Sequence, residues 1–294
     1  MKPLISIACT SYNHASYIRK AIEGFLLQKT TFPFEIVIHD DASTDGTDQI
    51  IKEYELKHPG LIFPIYQKEN QYSKGIRRIL KTFVFPKCRG KYIALCEGDD
   101  YWTDPYKLQK QADFMEANPD CSCCFHAAHH VYENCPERSY VHRPKRIPKN
   151  GKFNIKHVIL AGGGFMTTAS MFFQSDRLGN YFNGCSRWPV GDIPLMLYLA
   201  EQGNIGYLDE NMCVYRRLTN NSWSNIMLQR EPRRNHYRAI QLAWKEFNDF
   251  TEHRYSFYIK IKLAKNAIKH GYAEIISLLK PLRLWLRNNL KLRP

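Results

Sequence analysis

The tightest constraint on this chain is an apolar run, Tyr92-Ile93-Ala94-Leu95-Cys96, that ends abruptly in Glu97-Gly98-Asp99-Asp100 and the aromatics Tyr101 and Trp102. A continuous apolar run bounded by turn residues reads as a buried strand. Adjacent carboxylates at the mouth of such a strand repel each other and lose hydration unless a hard cation, a ribose or a row of backbone N–H groups satisfies them. A divalent metal site therefore fits this stretch. A solvated turn fits it too, because Gly-Asp-Asp is ordinary turn composition.

The N-terminal block repeats the pattern. Leu4-Ile5-Ser6-Ile7-Ala8-Cys9 reads as a strand, and Thr10-Ser11-Tyr12-Asn13-His14 as the loop that opens the next helix. In that helix Tyr17, Ile18, Ala21, Ile22, Phe25 and Leu26 recur at helical spacing. A second apolar strand over residues 34–38 ends in His39-Asp40-Asp41, and Ser43 or Thr44 is placed to cap a helix carrying Ile50, Ile51 and Tyr54. Asp45 and Asp48 fall near the positive end of that helix, and the chain returns as a strand over residues 61–66.

These residues resemble inverting family-2 glycosyltransferases, which take sugars from nucleotide diphosphates. Thr10-Ser11-Tyr12-Asn13 is similar to the family's first nucleotide-contacting loop and Asp40-Asp41-Ala42-Ser43-Thr44-Asp45 to its second. Glu97-Gly98-Asp99-Asp100 is similar to its metal-binding Asp-x-Asp variant. The resemblance runs on through Gly191-Asp192 to Val214-Tyr215-Arg216, about three quarters of the chain. It implies an α/β, Rossmann-like glycosyltransferase-A fold: a mostly parallel mixed central sheet flanked by helices, with a C-terminal helical extension. The implied boundaries are a catalytic domain over residues 1–220 and a basic extension over 221–294.

The resemblance also implies roles. Inversion needs a base on the acceptor side and positive charge on the phosphate side. Asp100 is the expected direct ligand of a Mn²⁺ or Mg²⁺ ion, with Asp99 on a metal-bound water or the ribose. Asp41 is assigned to the base edge, where a carboxylate can accept the imide N–H of uracil while Tyr12 stacks on the ring, so UDP is the expected nucleotide. Thr10 and Asn13 complete the nucleotide loop. Arg77 or Arg78 can offer a guanidinium to the diphosphate, but if the pair lies on a helix only one can reach it. Asp192 falls where the family's base lies, although an Asp before Pro194 can also simply cap a helix. Trp102 and Trp188 are candidate platforms for a sugar, against the commoner reading of tryptophan as core. Gly162-Gly163-Gly164 reads as a flexible loop before a strand over residues 168–173. One departure stands out. Relatives often carry a histidine two residues after the arginine of Val-Tyr-Arg, where this chain has Leu218, so a third metal ligand has to come from water, Asn220 or the diphosphate.

Composition bounds what remains. Hydrophobic residues make up 44 % of the 294, enough for a substantial core and too many for disorder. No export signal is expected at Met1-Lys2-Pro3, and no apolar stretch is long enough for a transmembrane helix. Among the nine cysteines, Cys121, Cys123 and Cys124 lack zinc-site spacing and suit a buried strand in a reducing cytoplasm. Of the net charge of +14, residues 216–294 hold 17 Lys/Arg against 5 Asp/Glu, while residues 1–215 are nearly balanced. Helices are expected over residues 231–250, 255–270 and 272–290. The last mixes Leu278, Leu282, Trp285 and Leu286 with Lys280, Arg283 and Arg287, a pattern suited either to an anionic membrane face or to packing on the catalytic domain. The expected partners are a nucleotide-sugar donor and a glycan or lipid-linked acceptor, placing the protein in the cytoplasm or on the inner membrane face. A nucleotidyltransferase lacks its Gly-rich phosphate loop here. A basic nucleic-acid or membrane module without catalysis would explain the tail, but acidic strand-end loops repel a polyanion, so no nucleic acid is expected.

Overall fold

In a computed structural model of the chain, residues 2–149, 151–179, 188–217 and 223–268 are described. The first half is built of strand–helix–strand units: β1 (Ile5–Ser11), α1 (Ile18–Leu26), β2 (Phe34–Asp40), α2 (Thr47–Lys57), β3 (Ile62–Tyr66) and β4 (Tyr92–Glu97). β1 is buried on both faces, as a central strand of a helix-covered sheet must be. Ile5, Ile7 and Cys9 enter one core cluster and Ala8 the other. α1 forms because Ile18, Ala21, Ile22 and Phe25 fall on one face and are all buried. α2 starts differently from expectation. Gly46, at φ +95°, takes the cap position with no side-chain cap, while Ser43 N–H and Oγ donate back to the Asp40 carboxylate and Thr44 N–H donates to Asn13 Oδ1.

The second half contributes β5 (Tyr101–Trp102), α3 (Lys107–Ala117), β6 (Cys121–Tyr132), β7 (Tyr140–His142), β8 (Lys152–Phe153), α4 (Ile155–Ala161), β9 (Phe172–Gln174), α5 (Asp192–Gln202), β10 (Asn204–Arg217), α6 (Trp223–Ile226) and α7 (Arg230–Phe250). The sheet runs β3-β2-β1-β4-β9-β6-β10-β5, with β7 on β6 and β8 on β10. β1 to β4 are parallel and β9 is antiparallel to both β4 and β6, so the sheet is mixed but largely parallel, with helices on its faces. The chain leaves β1 for β2 and β3 on one side and crosses back to β4 on the other. The β1/β4 boundary is thus the topological switch point, and α/β sheets bind ligands at the carboxyl ends of strands there. Register shifts within residues 208–213 bend β10, whose last part pairs antiparallel with β5, Cys213 opposite Trp102 and Val214 opposite Tyr101. That bend brings Arg216 back to the end of β4.

Two expected elements differ. Residues 168–170 form a 3₁₀ turn held by Ser170, whose hydroxyl and N–H both donate to the Thr167 carbonyl, so the strand starts only at Phe172. Residues 162–164 also form a 3₁₀ turn. A Cβ on Gly163 would lie 2.9 Å from Ile193 Cδ1, so glycine permits close packing against α5 rather than flexibility. Cys121, Cys123 and Cys124 lie buried on β6, which continues to Tyr132. The expected helix over 231–250 is α7, and residues 256–268 are also helical. Residues 272–290 lie outside the described residues. α7 buries Ile240, Ala243, Trp244 and Phe247 in the same cluster as the apolar face of α5. No described helix is long and apolar enough to cross a membrane.

Trp102 is 2 % exposed, with Nε1 donating to the Ala169 carbonyl at 3.0 Å and its ring edge-on to Phe25. Lys107, fully buried at the start of α3, sits 3.9 Å over the Trp102 ring and donates to Gln111 Oε1 at 2.7 Å. Burial lowers the ammonium from its usual 10.5 to about 8. Between those values the unfolded chain holds the proton and the folded chain sheds it, so this group's contribution to stability rises with pH through that window and its charge costs most below pH 8. We expect the stability difference between wild type and Lys107→Met to move in favour of wild type by about 2 kcal/mol between pH 7 and pH 10, as measured by urea unfolding at both pH values.

Candidate active site

Three parallel strands end at one level of the sheet edge: Ser11 pairs with Asp40, and Thr10 with both His39 and Glu97. The loops after them are tied together. Asn13 N–H donates to Ser43 Oγ, Thr44 N–H to Asn13 Oδ1, His14 N–H to Thr47 Oγ1 and Ala15 N–H to Asp45 Oδ2, all at 2.8–2.9 Å. Asn13 and Ala42 hold left-handed conformations, φ +54° and +59°. Asn tolerates this region; Ala costs roughly 1 kcal/mol there, so the hydrogen bonds must hold it. Gly98 N–H bonds to the Thr10 carbonyl, and a Cβ on Gly98 would lie 2.9 Å from both His14 Nδ1 and Ile18 Cδ1, so the acidic turn can approach this closely only with glycine.

On this edge Glu97, Asp99 and Asp100 each offer an oxygen, all within 4.8 Å of one another. Asp100 is fully buried. Its Oδ1 accepts the backbone N–H of Arg216 at 2.9 Å, while its Oδ2 is buried with no hydrogen-bond partner. Burial, then the charges of Asp99 and Glu97, push the Asp100 carboxyl well above the usual range. Glu97 is raised to about 8 by burial, then by Asp99 and Asp192. An orphaned buried oxygen among crowded carboxylates is the donor set of a hard divalent cation such as Mg²⁺ or Mn²⁺, and these residues fit one.

Asp192 is the first residue of α5. Gly191 occupies the cap position, and the Asp192 carboxyl accepts from the first-turn N–H groups of Ile193 and its own residue. Its carboxyl is pushed up by burial, and its influence on Glu97 puts it beside the cluster. Tyr12 is 44 % exposed, with an open ring at the end of β1. Asp41 is buried and already accepts the N–H groups of Gln71 at 2.8 Å and Tyr72 at 3.0 Å, leaving part of its lone-pair capacity for a ligand. Arg77 and Arg78 lie in irregular chain rather than on a helix. Arg77 is exposed and stacks 4.2 Å from the Tyr72 ring, while Arg78 Nη2 is buried without a partner.

The edge therefore assembles Thr10, Tyr12, Asn13, Asp41, Asp99, Asp100 and Asp192. It does not assemble the two tryptophans proposed as sugar platforms. Trp102 is enclosed by Phe25, Lys107 and Ala169, and Trp188 is 3 % exposed with its ring edge-on to Trp244, so neither has a free face. Glu97 and the side chain of Arg216 were not among the expected site residues. The acid beside Gly98-Asp99-Asp100 was a visible signal for Glu97, whereas Arg216 reaches Asp99 only through the bend in β10. Leu218 and Asn220 lie outside the described residues.

The sequence profile of glycosyl transferase family 2 matches residues 6–176. Rv1520, an uncharacterised protein of Mycobacterium tuberculosis, is 37 % identical over 230 residues, 77 % of this chain; the chain spans only 62 % of that relative's length. TuaG of Bacillus subtilis, named for teichuronic acid biosynthesis, is 27 % identical over 274 residues, 91 % of this chain and 97 % of TuaG. The crystal structure of Staphylococcus aureus TarS 1–349 with UDP-GlcNAc superposes with a TM-score of 0.63 at 16 % identity, covering 92 % of this chain and 73 % of the other. The chain belongs to glycosyl transferase family 2 and has the glycosyltransferase-A fold.

Asp100→Asn keeps an oxygen for the Arg216 N–H but replaces the orphaned acceptor with a donor and cannot ionise, so it removes the charge a bound cation would need. The metal-free variant should melt at or above the wild-type temperature and lose any Mn²⁺-induced rise, read by differential scanning fluorimetry with and without Mn²⁺.

Proposed function

We propose that this protein transfers a sugar, with inversion, from a UDP-sugar to an acceptor hydroxyl in the assembly of a surface polysaccharide or lipid-linked glycan. The observation that carries the reading is the unpartnered Oδ2 of Asp100, grouped with Glu97 and Asp99 at the switch point, with Asp192 near enough for its charge to raise Glu97. Family membership supports the reaction class, and the name of TuaG supports a cell-envelope product.

Tyr12 stacks on the uracil, and Asp41 accepts its imide N–H with the capacity left over from the 71–72 amides. Asp99, Asp100 and Glu97 are the residues that would hold a Mg²⁺ or Mn²⁺ ion, which would supply positive charge to the departing diphosphate. Arg77 or Arg78 adds a guanidinium on the same side. Asp192 takes the proton from the acceptor hydroxyl as it attacks the anomeric carbon from the face opposite the diphosphate. A carboxyl raised by burial is a stronger base than an exposed one, which suits that task. The exposed Arg230, Arg234, Arg238 and Lys245 of α7, with the basic residues after 268, give the C-terminal part a charge suited to an anionic membrane surface on which a lipid-linked acceptor would be presented.

Asp192→Asn should lower kcat by roughly 10²- to 10⁴-fold while leaving metal-dependent UDP-sugar binding within about twofold of wild type. Product formation and calorimetric titration with UDP-sugars check the two parts, and ordinary turnover by the variant would refute the base assignment.

A further inference from the structure

Arg216 makes more separate contacts at this edge than its place at the end of a strand requires. It is 7 % exposed. Its Nε donates to Glu133 Oε1 at 2.7 Å, and its Nη1 donates to the backbone carbonyl of Asp99 at 2.5 Å. The guanidinium also lies 5.1 Å from the ring of Tyr17, just before α1, and 4.6 Å from that of Tyr101 on β5. Its backbone N–H separately holds Asp100 Oδ1. One side chain thus joins the entry of α1, the acidic turn, β5 and the end of β6.

A turn carrying Glu97, Asp99 and Asp100 repels itself; the N–H side of the Asp99–Asp100 peptide is held inside the turn, where Asp100 N–H donates to the Glu97 carbonyl at 3.0 Å, and its carbonyl side is gripped from outside by Arg216. Loop tips drift by an ångström or more unless they are anchored, and a metal site loses affinity when its ligands are that loose. The Arg216 fork adds a side-chain anchor to the backbone bonds from Gly98 to Thr10 and from Asp100 to Glu97. It grips the Asp99 carbonyl from outside the cluster, and because it carries only donors it cannot itself become a ligand. Its flat shape matters as much as its charge: it packs against two phenol rings while donating to Asp99 and Glu133, which a lysine ammonium cannot do.

We propose that the Arg216 guanidinium is a positioning residue that fixes the Asp99 peptide, and so the aim of the Asp99 and Asp100 carboxylates, for the divalent cation that holds the nucleotide diphosphate. This rests on the reading of the site as a metal-assisted UDP-sugar site. The backbone bond from residue 216 to Asp100 survives any side-chain substitution, so variants isolate the guanidinium.

The test is calorimetric titration of UDP into the full chain across a Mn²⁺ series, for wild type, Arg216→Lys, Arg216→Met and Glu133→Ala, with circular dichroism to confirm folding. Both arginine variants should weaken Mn²⁺-dependent UDP binding by roughly 10- to 100-fold and raise the Mn²⁺ needed for half-maximal activity, with most of kcat recovered at saturating Mn²⁺. Glu133→Ala, which removes a half-exposed partner and is the least disruptive to folding, should shift Mn²⁺ affinity in the same direction by less. Arg216→Lys or Glu133→Ala with wild-type Mn²⁺ affinity would overturn the proposal. So would a fall in kcat at saturating Mn²⁺ with metal affinity unchanged, since that places the side chain on the substrate. Wild type that binds no UDP with any divalent ion would remove the function itself, whereas wild type that binds alongside variants that bind equally would remove the positioning role alone.

Discussion

The arrangement of this protein depends on keeping a fully buried carboxylate, Asp100, beside two others. Burial and mutual repulsion both act against its ionised form. The fold answers with one hydrogen bond, from the Arg216 backbone, and leaves the other oxygen unpartnered. Left alone, such a group is a net cost to stability. Protonation would relieve it, and so would the divalent cation of the proposed function. On the proposed function, the same desolvation that raises the carboxyl would make the turn responsive to metal, with the rest of the edge holding it open.

Holding it open takes strain and close contact elsewhere. The loops after β1 and β2 bond to each other through Asn13, Ser43, Thr44 and Asp45, with a left-handed residue in each, Asn13 and Ala42. Asp41 secures the next segment by accepting two amides from residues 71 and 72. Gly98 lets the acidic turn settle against His14 and Ile18. These contacts give many of the polar side chains near the crevice a structural task, so a ligand would meet the second lone pairs and open faces of groups that are already oriented. Preorganisation of this kind lowers the cost of binding.

Local pattern made the first half of the chain readable. Alternating apolar runs and acidic loops located β1, β2, β3 and β4, and the helical spacing in α1 marked its buried face. The loop ends of those strands carried Asp41, Asp99 and Asp100, which topology then placed at one edge. What could not be read depended on distance in sequence. β5 follows β4 by four residues yet pairs with β10, and only that pairing brings Arg216 to Asp99. The tryptophans show the same limit. Composition allows an indole to face a sugar or the core, and only the packing of Phe25 and Lys107 on Trp102, and of Trp244 on Trp188, decides between them. The expected strand near Thr168 yielded to a side-chain-to-backbone bond from Ser170, a local competition that apolar pattern does not register.

The C-terminal helix α7 bears on the chemistry through packing as well as charge. Asp192 begins α5, and the apolar residues that follow it, Leu195 to Ala200, enter one core cluster with Trp188, Trp244 and Phe247. Trp244 meets Trp188, four residues before Asp192, edge-on at 5.1 Å. The position of the proposed base is therefore set from two sides: by the short turn of residues 162–164 against Ile193, and by α7 against the segment that leads into α5. Interiors are close-packed, so a shift of α7 transmits to the start of α5. The exposed basic face of α7 and the buried face that packs on Trp188 are two sides of one helix, so a displacement of the one moves the other.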